Sequence, residues 1–497
     1  MWCAQIKTSK TTSHATMPSR WRAAPRIGVL SLALLSGCAA VGPDYERPAQ
    51  ASINENSAQA DFTSVTRDPG EATAFNPQPL PDHWWRLYRS PALDHLIEDA
   101  LEHNTDLRVA EANLKRVQAQ RNESRALAQP TVGVNAQPTY GHASGVQTLQ
   151  PDATPRNRFS YTTGVAVSYT VDLFGQIQRA EEAAQRDVQA AQAALESTRV
   201  AVAAETARAF ADACTAGMQL AQAQRSVDIQ AESVSVTQRL FDAGRGTRLD
   251  VTRAQAQVNS LKAALPPYQA QRKIARIRLA TLTGRAPAQW PAALAQCNTP
   301  PLLTQPIPVG DGAALLARRP DVRQAEHQLA ASTARIGVAT ADLYPKISLG
   351  LSAASGGPAA LLGDRGTYSW SLGPLISWTI PNTGAAQSRI AQAEASTQAA
   401  AAHFDGVVLN ALKETESALT QYARQLDRDD ALKAARDDSA QAANQAERLY
   451  KNGKTDYLTV LDAQRTLAQL DAQWAASRAA LVDQQIAIFL ALGGGWE

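Results

Sequence analysis

Between Tyr161 and Gln192 the periodicity of the chain changes once, and that change constrains the fold more than any other stretch. From Tyr161 to Asp172, Tyr161, Thr163, Val165, Val167, Tyr169 and Val171 fall on one face and Thr162, Gly164, Ala166, Ser168, Thr170 and Asp172 on the other. That alternation is a strand with one apolar side. After Gly175 an Ala/Gln/Glu-rich helical pattern runs to about Ala243 without a breaker. The same join recurs late in the chain. Tyr368, Trp370, Leu372, Ile376, Trp378 and Ile380 alternate with small or polar residues before Pro381, Asn382, Thr383 and Gly384 open another long helix. The chain therefore reads as a tandem repeat.

The first long helix would extend ~100 Å at 1.5 Å per residue, too far for one globular core to bury. Leu220, Val227, Val234 and Phe241 recur every seven residues, as do Val188, Leu195, Val202 and Ala209, so its partners should be other helices in a coiled-coil seam. Ala243-Gly244-Arg245-Gly246 reads as a tight reversal, and a second helix returns through Val251, Val258 and Leu265. Pro266 and Pro267 should kink it before it stops at Gly284. Earlier, an apolar pattern from Leu93 to Leu114 marks a helix broken near His103-Asn104 and ended by Pro130. Val132, Val134, Ala136 and Tyr140 then give a strand that pairs with the first through a Gly/Ser/Pro-rich loop. The second half repeats this plan. Leu449, Gly453, Leu458, Val460, Ala463, Gln464, Leu470, Ile486 and Gly493 match Leu240, Gly244, Leu249, Val251, Ala254, Gln255, Leu261, Ile277 and Gly284 at one constant offset.

The first residues read as an export leader: basic residues without an acid, then the apolar run Ile27 to Leu35, too short to span a bilayer. Met17 also fits as a start. Leu35-Ser36-Gly37-Cys38 reads as a lipobox whose Cys38 is acylated after cleavage; a chance cysteine in a plain signal peptide is the alternative. The leader holds Lys7, Lys10, Arg20, Arg22 and Arg26, so taking these five from the total of +2 leaves −3 for the rest, and no basic face for nucleic acid is implied. Cys214 lies mid-helix and Cys297 in a Pro-rich loop; they could pair in an oxidising compartment, but packing is the expected role. The histidines are scattered, and no metal-ligand spacing, phosphate loop or nucleophile elbow is present, so neither enzyme chemistry nor a cofactor is expected.

Four strands are too few to close a barrel, and an open sheet in lipid leaves unpaired edge groups that cost several kcal/mol each. Either the strands lie outside a membrane, as in a soluble sandwich, or several chains share one barrel. The strand-end aromatics Tyr161, Tyr169, Tyr368, Trp370 and Trp378, with Ser, Thr and Gly opposite them, favour the shared barrel. Periodicity does not choose between two chains and three.

The stretches GCAAVGPDYERP at 37–48, WWRLYRSPALDHLI at 84–97, FGQIQR at 174–179, RRPDVRQAEHQLAA at 318–331, LYPKISL at 343–349 and YKNGKTDYLTVLDAQRTL at 450–467 resemble outer-membrane efflux ducts of the TolC type. More narrowly, they resemble the NodT-like lipoprotein branch serving tripartite resistance-nodulation-division pumps. The resemblance implies a mainly α fold with a small β part: a homotrimer whose chains give four strands each to a 12-stranded transmembrane β-barrel and extend a helical coiled-coil barrel through the periplasm. It implies outer-membrane lipid around the strands, and a periplasmic membrane-fusion adaptor and an inner-membrane pump as partners. Gly244, Arg245, Gly246, Thr247, Gly453, Lys454 and Thr455 would be the adaptor-contacting tips. In similar ducts an acidic ring at the position of Asp462 narrows the mouth, and like charges near a symmetry axis attract cations and obstruct anions. Arg465 could pair across the chain interface, and Asp250 and Tyr450 match positions that link neighbouring helices, with a hydrogen bond between them expected. The plainer alternative is that these groups face solvent on a coiled coil. Arg253 stands where the first repeat would carry the equivalent of Asp462, so one repeat alone supplies the acid.

On this reading residues 1–37 are the leader, 38–81 a lipid-anchored tether that wraps a surface or stays loose, and 82–129 the first-repeat helices. Residues 130–173 form the first strand hairpin, 174–284 the first long helical hairpin and 285–309 a linker. Residues 310–344 form the second-repeat helix, 345–381 the second strand hairpin, 382–492 the second long helical hairpin and 493–497 a tail. Two other readings share parts of this plan: the exit duct of a type I protein-secretion system, and a non-conducting coiled-coil lipoprotein of the envelope.

Overall fold

A computed structural model describes residues 40–66, 74–142, 156–290, 297–380 and 383–495. Cys38, Pro381, Asn382 and the last two residues lie outside the described residues, as does the leader. Ser90 caps helix α1 (Pro91–His103), and Asn104 ends it and caps α2 (Thr105–Ala126). The Asn104 Oδ1 accepts from Asp106 N and Leu107 N at 2.8 and 3.3 Å, while its Nδ2 donates to Leu282 O at 3.0 Å. One side chain thus caps a helix and ties it to the far end of the same repeat. Strands β1 (Thr131–Gly141) and β2 (Arg158–Val171) follow, then α3 (Gln176–Asp242). The chain returns as α4 (Arg248–Lys262) and α5 (Leu265–Leu282), with Pro266 and Pro267 at the start of α5, where a missing N–H costs least.

The second repeat runs α6 (Gly312–Arg318), α7 (Pro320–Ala341), β3 (Lys346–Pro358), β4 (Tyr368–Ser377), α8 (Thr383–Lys451) and α9 (Tyr457–Ala491). Having no proline, α9 returns unbroken. Gly284 and Gly493 end α5 and α9 in the left-handed region, at φ 69° and 73°. No helix among the described residues is long and apolar enough to cross a membrane.

The four long strands form one antiparallel sheet in the order β1-β2-β3-β4. Its register sorts the side chains. Val134, Val165, Ala353 and Trp370 stand in one row across the sheet, and Val132, Val167, Leu351 and Leu372 in the next row on the same face. The opposite face carries Asn135, Gly164, Ala354 and Ser369, then Gly133, Ala166, Ser352 and Ser371; Leu375 is an apolar exception there. The apolar face is bare in the single chain: Trp370 is 77% exposed and Val134 75%. A soluble sandwich would cover it. The last strand stops at Ser377, short of the alternation through Ile380, as the Trp378 indole turns to donate to Leu343 O at 3.2 Å.

Below the sheet the helices pack on a shared core. Trp84 and Trp85 are buried, and the Trp84 ring stacks on Phe489 of α9 at 4.6 Å. Arg319 closes the second repeat: it donates to Ala491 O at 2.8 Å and pairs with Asp321 and Glu414 at 2.7 and 2.9 Å. The described part of the tether wraps this core. Ala51, Ile53, Ala58 and Phe62 are buried, Ser52 N donates to Asp405 at 2.9 Å and Thr63 N to Glu416 at 2.7 Å. Phe75 and Asn76 then pair in parallel with Ile307 and Pro308 of the linker.

One expectation fails. Cys214 and Cys297 form a disulfide, with Cα atoms 4.7 Å apart. The close approach is possible because Gly217, one turn along α3, has no side chain; a Cβ there would run into the Cys297 carbonyl. The linker is stapled to α3 on that side, and the buried Gln485 holds it further along, accepting from Leu303 N and donating to Leu303 O.

Candidate functional site

The two helical hairpins end side by side. At the first tip, Gly244 at φ 70° lets Arg245 N reach Leu240 O and Gly244 N reach Phe241 O, at 2.8 and 2.9 Å. At the second, Gly453 at φ 69° repeats both bonds with Lys454 N to Leu449 O and Gly453 N to Tyr450 O. These paired bonds close the outgoing helices, and only glycine enters the left-handed region without strain. The returning helices are then capped by the same two residue types in opposite order. Thr247 caps α4, its hydroxyl 2.6 Å from Asp250 Oδ2, and Asp456 caps α9, its Oδ1 2.7 Å from the Thr459 hydroxyl. Those bonds hold the exposed Asp456 carboxyl below its usual range.

Of the seven residues expected at the tips, Gly244, Arg245, Gly246, Thr247, Gly453 and Thr455 line one open groove between the hairpins, and Lys454 does not. Asp250, Arg253 and Tyr450 line it too. The expected Asp250–Tyr450 hydrogen bond is not formed in the single chain. Asp250 accepts from Thr247 instead, while the Tyr450 hydroxyl is pushed up by burial and by the Asp250 charge. The tip is joined by other residues. The buried Tyr457 ring lies 5.5 Å from that of Tyr450, and its hydroxyl meets Gln230 Nε2 and Ser233 Oγ of α3, both at 3.2 Å.

Asp462 and Arg465 are exposed on α9, and neither forms an ion pair among the described residues. Asp462 lines a groove between α8 and α9 together with Asp438 and Asp456. The matching groove between α3 and α4 carries Arg239 and Arg248. The two hairpins thus present opposite charge, which extends the Arg253/Asp462 difference beyond one position.

Sequence reasoning placed the tip residues but missed Gln230 and Tyr457, since a glutamine in a heptad helix reads as a solvated position. These tips stand at the far end of helices that descend from a sheet with one apolar face. Residues 96–285 and 313–494, most of both repeats, match the outer membrane efflux protein family. The chain belongs to that family. Nodulation protein T of Rhizobium leguminosarum bv. trifolii is 28% identical over 471 residues, spanning 93% of this chain and 96% of that one. The solvent efflux pump outer membrane protein SrpC of Pseudomonas putida is 30% identical over 489 residues, spanning 94% and 98%. The solved outer-membrane channel OprN superposes with a TM-score of 0.82 at 34% identity, over 92% of this chain and 99% of that one. As a member of this family the chain is an outer-membrane efflux channel component.

Proposed function

We propose that three copies of this chain form the exit duct of a tripartite efflux pump, passing small molecules from a periplasmic adaptor and an inner-membrane resistance-nodulation-division pump to the exterior. The supporting observation is the sheet: four antiparallel strands with one bare apolar face and two unpaired edges, β1 and β4. An even number of antiparallel strands lets β4 of one copy pair antiparallel with β1 of the next. Two copies would give eight strands, a barrel that side chains alone can fill; three give twelve and leave a lumen lined mostly by Ser, Thr, Gly, Ala and Asn. The long helices extend that lumen from the membrane, and acylation of Cys38 would add a lipid anchor.

The tips would then meet the adaptor, and the Asp462 carboxylates would ring the mouth, with Arg465, Asp250 and Tyr450 bearing on its closure. A secretion duct shares this geometry, but the family match and the named relative SrpC support small-molecule efflux. A non-conducting tether would leave the apolar sheet face without a purpose. The test is the purified protein in a planar bilayer, with its mass measured in detergent. A particle of three chains and discrete, cation-preferring current steps are expected. A monodisperse monomer without current would overturn the reading.

A further inference from the structure

Residues 40–44, which begin two positions after Cys38, are held, not slack. Arg179 lies in the first turn of α3, where the helix dipole disfavours a cation. Its side chain is nevertheless only 6% exposed. The guanidinium is surrounded by acceptors: Nε donates to Val41 O at 3.1 Å, Nη2 to Gly42 O at 3.2 Å and to Asp44 Oδ1 at 2.7 Å, and Nη1 to Glu182 Oε2 at 2.7 Å. Three of those four acceptors belong to one short piece of the N-terminal segment. The Val41 N–H in turn donates to Phe174 O at 3.1 Å, at the junction of β2 and α3.

Two glycine contacts complete the seat. Gly42, at φ 91°, presses on Gly337 of α7, and a Cβ on Gly42 would collide with the Gly337 backbone. Gly175, at φ 72°, presses on Ala40 in the same way. The segment Ala40–Asp44 therefore sits in a cradle built from the β2–α3 junction, the first turn of α3 and α7. Further along, Arg47 grips Glu326 with two hydrogen bonds of 2.9 and 3.0 Å.

The cradle lies at the foot of the sheet. Phe174 stacks on Tyr344 at 4.5 Å, and Trp378 is bonded to Leu343, so the aromatic rim and the cradle share one level. Only Ala39 separates Cys38 from Ala40, and the two residue steps span at most ~7 Å. We propose that this cradle is a docking site for the residues that follow Cys38, and that Arg179 is the positioning residue that fixes the acylated end at the periplasmic rim of the barrel. The proposal rests on the acylation of Cys38. Its consequence is that the acyl chains enter the inner leaflet beside the barrel wall, at the depth the rim aromatics set, instead of roaming on a flexible linker.

A nitroxide on Pro43→Cys, an exposed site between Gly42 and Asp44, reads the docking directly in the full-length trimer in lipid, since Cys214 and Cys297 are already bonded. Mass spectrometry of the N-terminal peptide reads acylation separately. An immobilised spectrum in the otherwise native protein is expected, with loss of the immobilised component in Arg179→Ala while acylation and trimer mass are kept. Gly42→Val drives a side chain from the tether into the Gly337 backbone without substituting any helix residue, and should give the same loss if Arg179→Ala does not fold. A label already mobile in the native protein, or unchanged in both variants, overturns the proposal. An immobilised label on a chain that is not acylated leaves the cradle but removes its lipid-positioning role, and overturns the lipoprotein reading with it.

Discussion

The Tyr457 hydroxyl accepts a hydrogen bond from Gln230 Nε2 at 3.2 Å, joining the first turn of α9 to α3 across the two helical hairpins. Gln230 is 2% exposed, so water does not readily replace that acceptor. If the mouth dilates by moving one hairpin against the other, this bond breaks. Tyr457→Phe should weaken the closed arrangement by about 1 kcal/mol, enough to raise the open population severalfold. Single-channel recording checks it: open time should rise with unit conductance unchanged.

Asp462 is exposed on α9 and unpaired among the described residues, beside Asp438 and Asp456 in one groove. Around a three-fold axis its copies would add like charges at the mouth. Asp462→Ala should enlarge the current and reduce its preference for cations. Equal currents and equal reversal potentials in the two proteins would remove Asp462 from the gate and leave it a solvated helix residue.

The Cys214–Cys297 bond spans 83 residues and fastens the linker between repeats to α3. Bonds closing loops of this size typically contribute about 2–4 kcal/mol. Cys214→Ala should lower the melting temperature, and a reducing agent should lower that of the native protein to the same value while leaving the variant unchanged. A native protein indifferent to reductant would show that the linker is held by Gln485 and its packing alone.

How far the fold could be read from the sequence depended on whether a position answers to a period. The strand faces, the long helices and the Gly244 and Gly453 reversals follow from alternation, heptads and glycine, and the register that aligns Val134 with Trp370 preserves what alternation implied. Contacts between distant segments leave no such trace. Cys214 and Cys297 were compatible with packing because nothing in the sequence shows that Gly217 lets the linker approach. Gln230 resembled any solvated heptad residue. Arg179 did carry a local signal, a cation in the first turn of a helix, which implies that something other than water offsets the dipole. Asp250 and Tyr450 were paired by resemblance, but the Thr247 cap competes for the same carboxylate in the single chain.

Asp483 of α9 carries a pH signature. Burial, and next the charge of Asp212, push its carboxyl up to about 6, with Arg208 and Arg278 opposing. Arg278 also pairs with Glu205 and lies 3.9 Å from Asp212. Because the folded value lies above that of the unfolded chain, the folded state keeps a proton that the unfolded state has released between about pH 4 and 6. Stability from this group is therefore full below that window, falls as pH rises through it, and stays low above it. Asp483→Asn should flatten that fall and gain about 1–2 kcal/mol at pH 7 after allowance for solvent screening. Melting curves of both proteins from pH 4 to 8 check it, with the difference expected to vanish at the acid end.

The two faces of the sheet can be told apart with adjacent residues. Val165 stands mid-strand in the row with Val134, Ala353 and Trp370, and Ala166, its neighbour, points to the opposite side with Gly133 and Ser352. If the apolar face meets lipid, an arginine at Val165 must be held near the middle of the bilayer, at a cost of about 2–4 kcal/mol per chain. Every copy in a trimer carries the same cost, so Val165→Arg should reduce the yield of assembled particles in the membrane. Ala166→Arg places the same charge in the water-filled lumen and should leave assembly intact while lowering cation current. The comparison holds backbone position and added side chain nearly constant, so only the face differs. Equal assembly of the two variants would mean that the apolar face is not lipid-facing, and the barrel would have to be abandoned along with the pore it encloses.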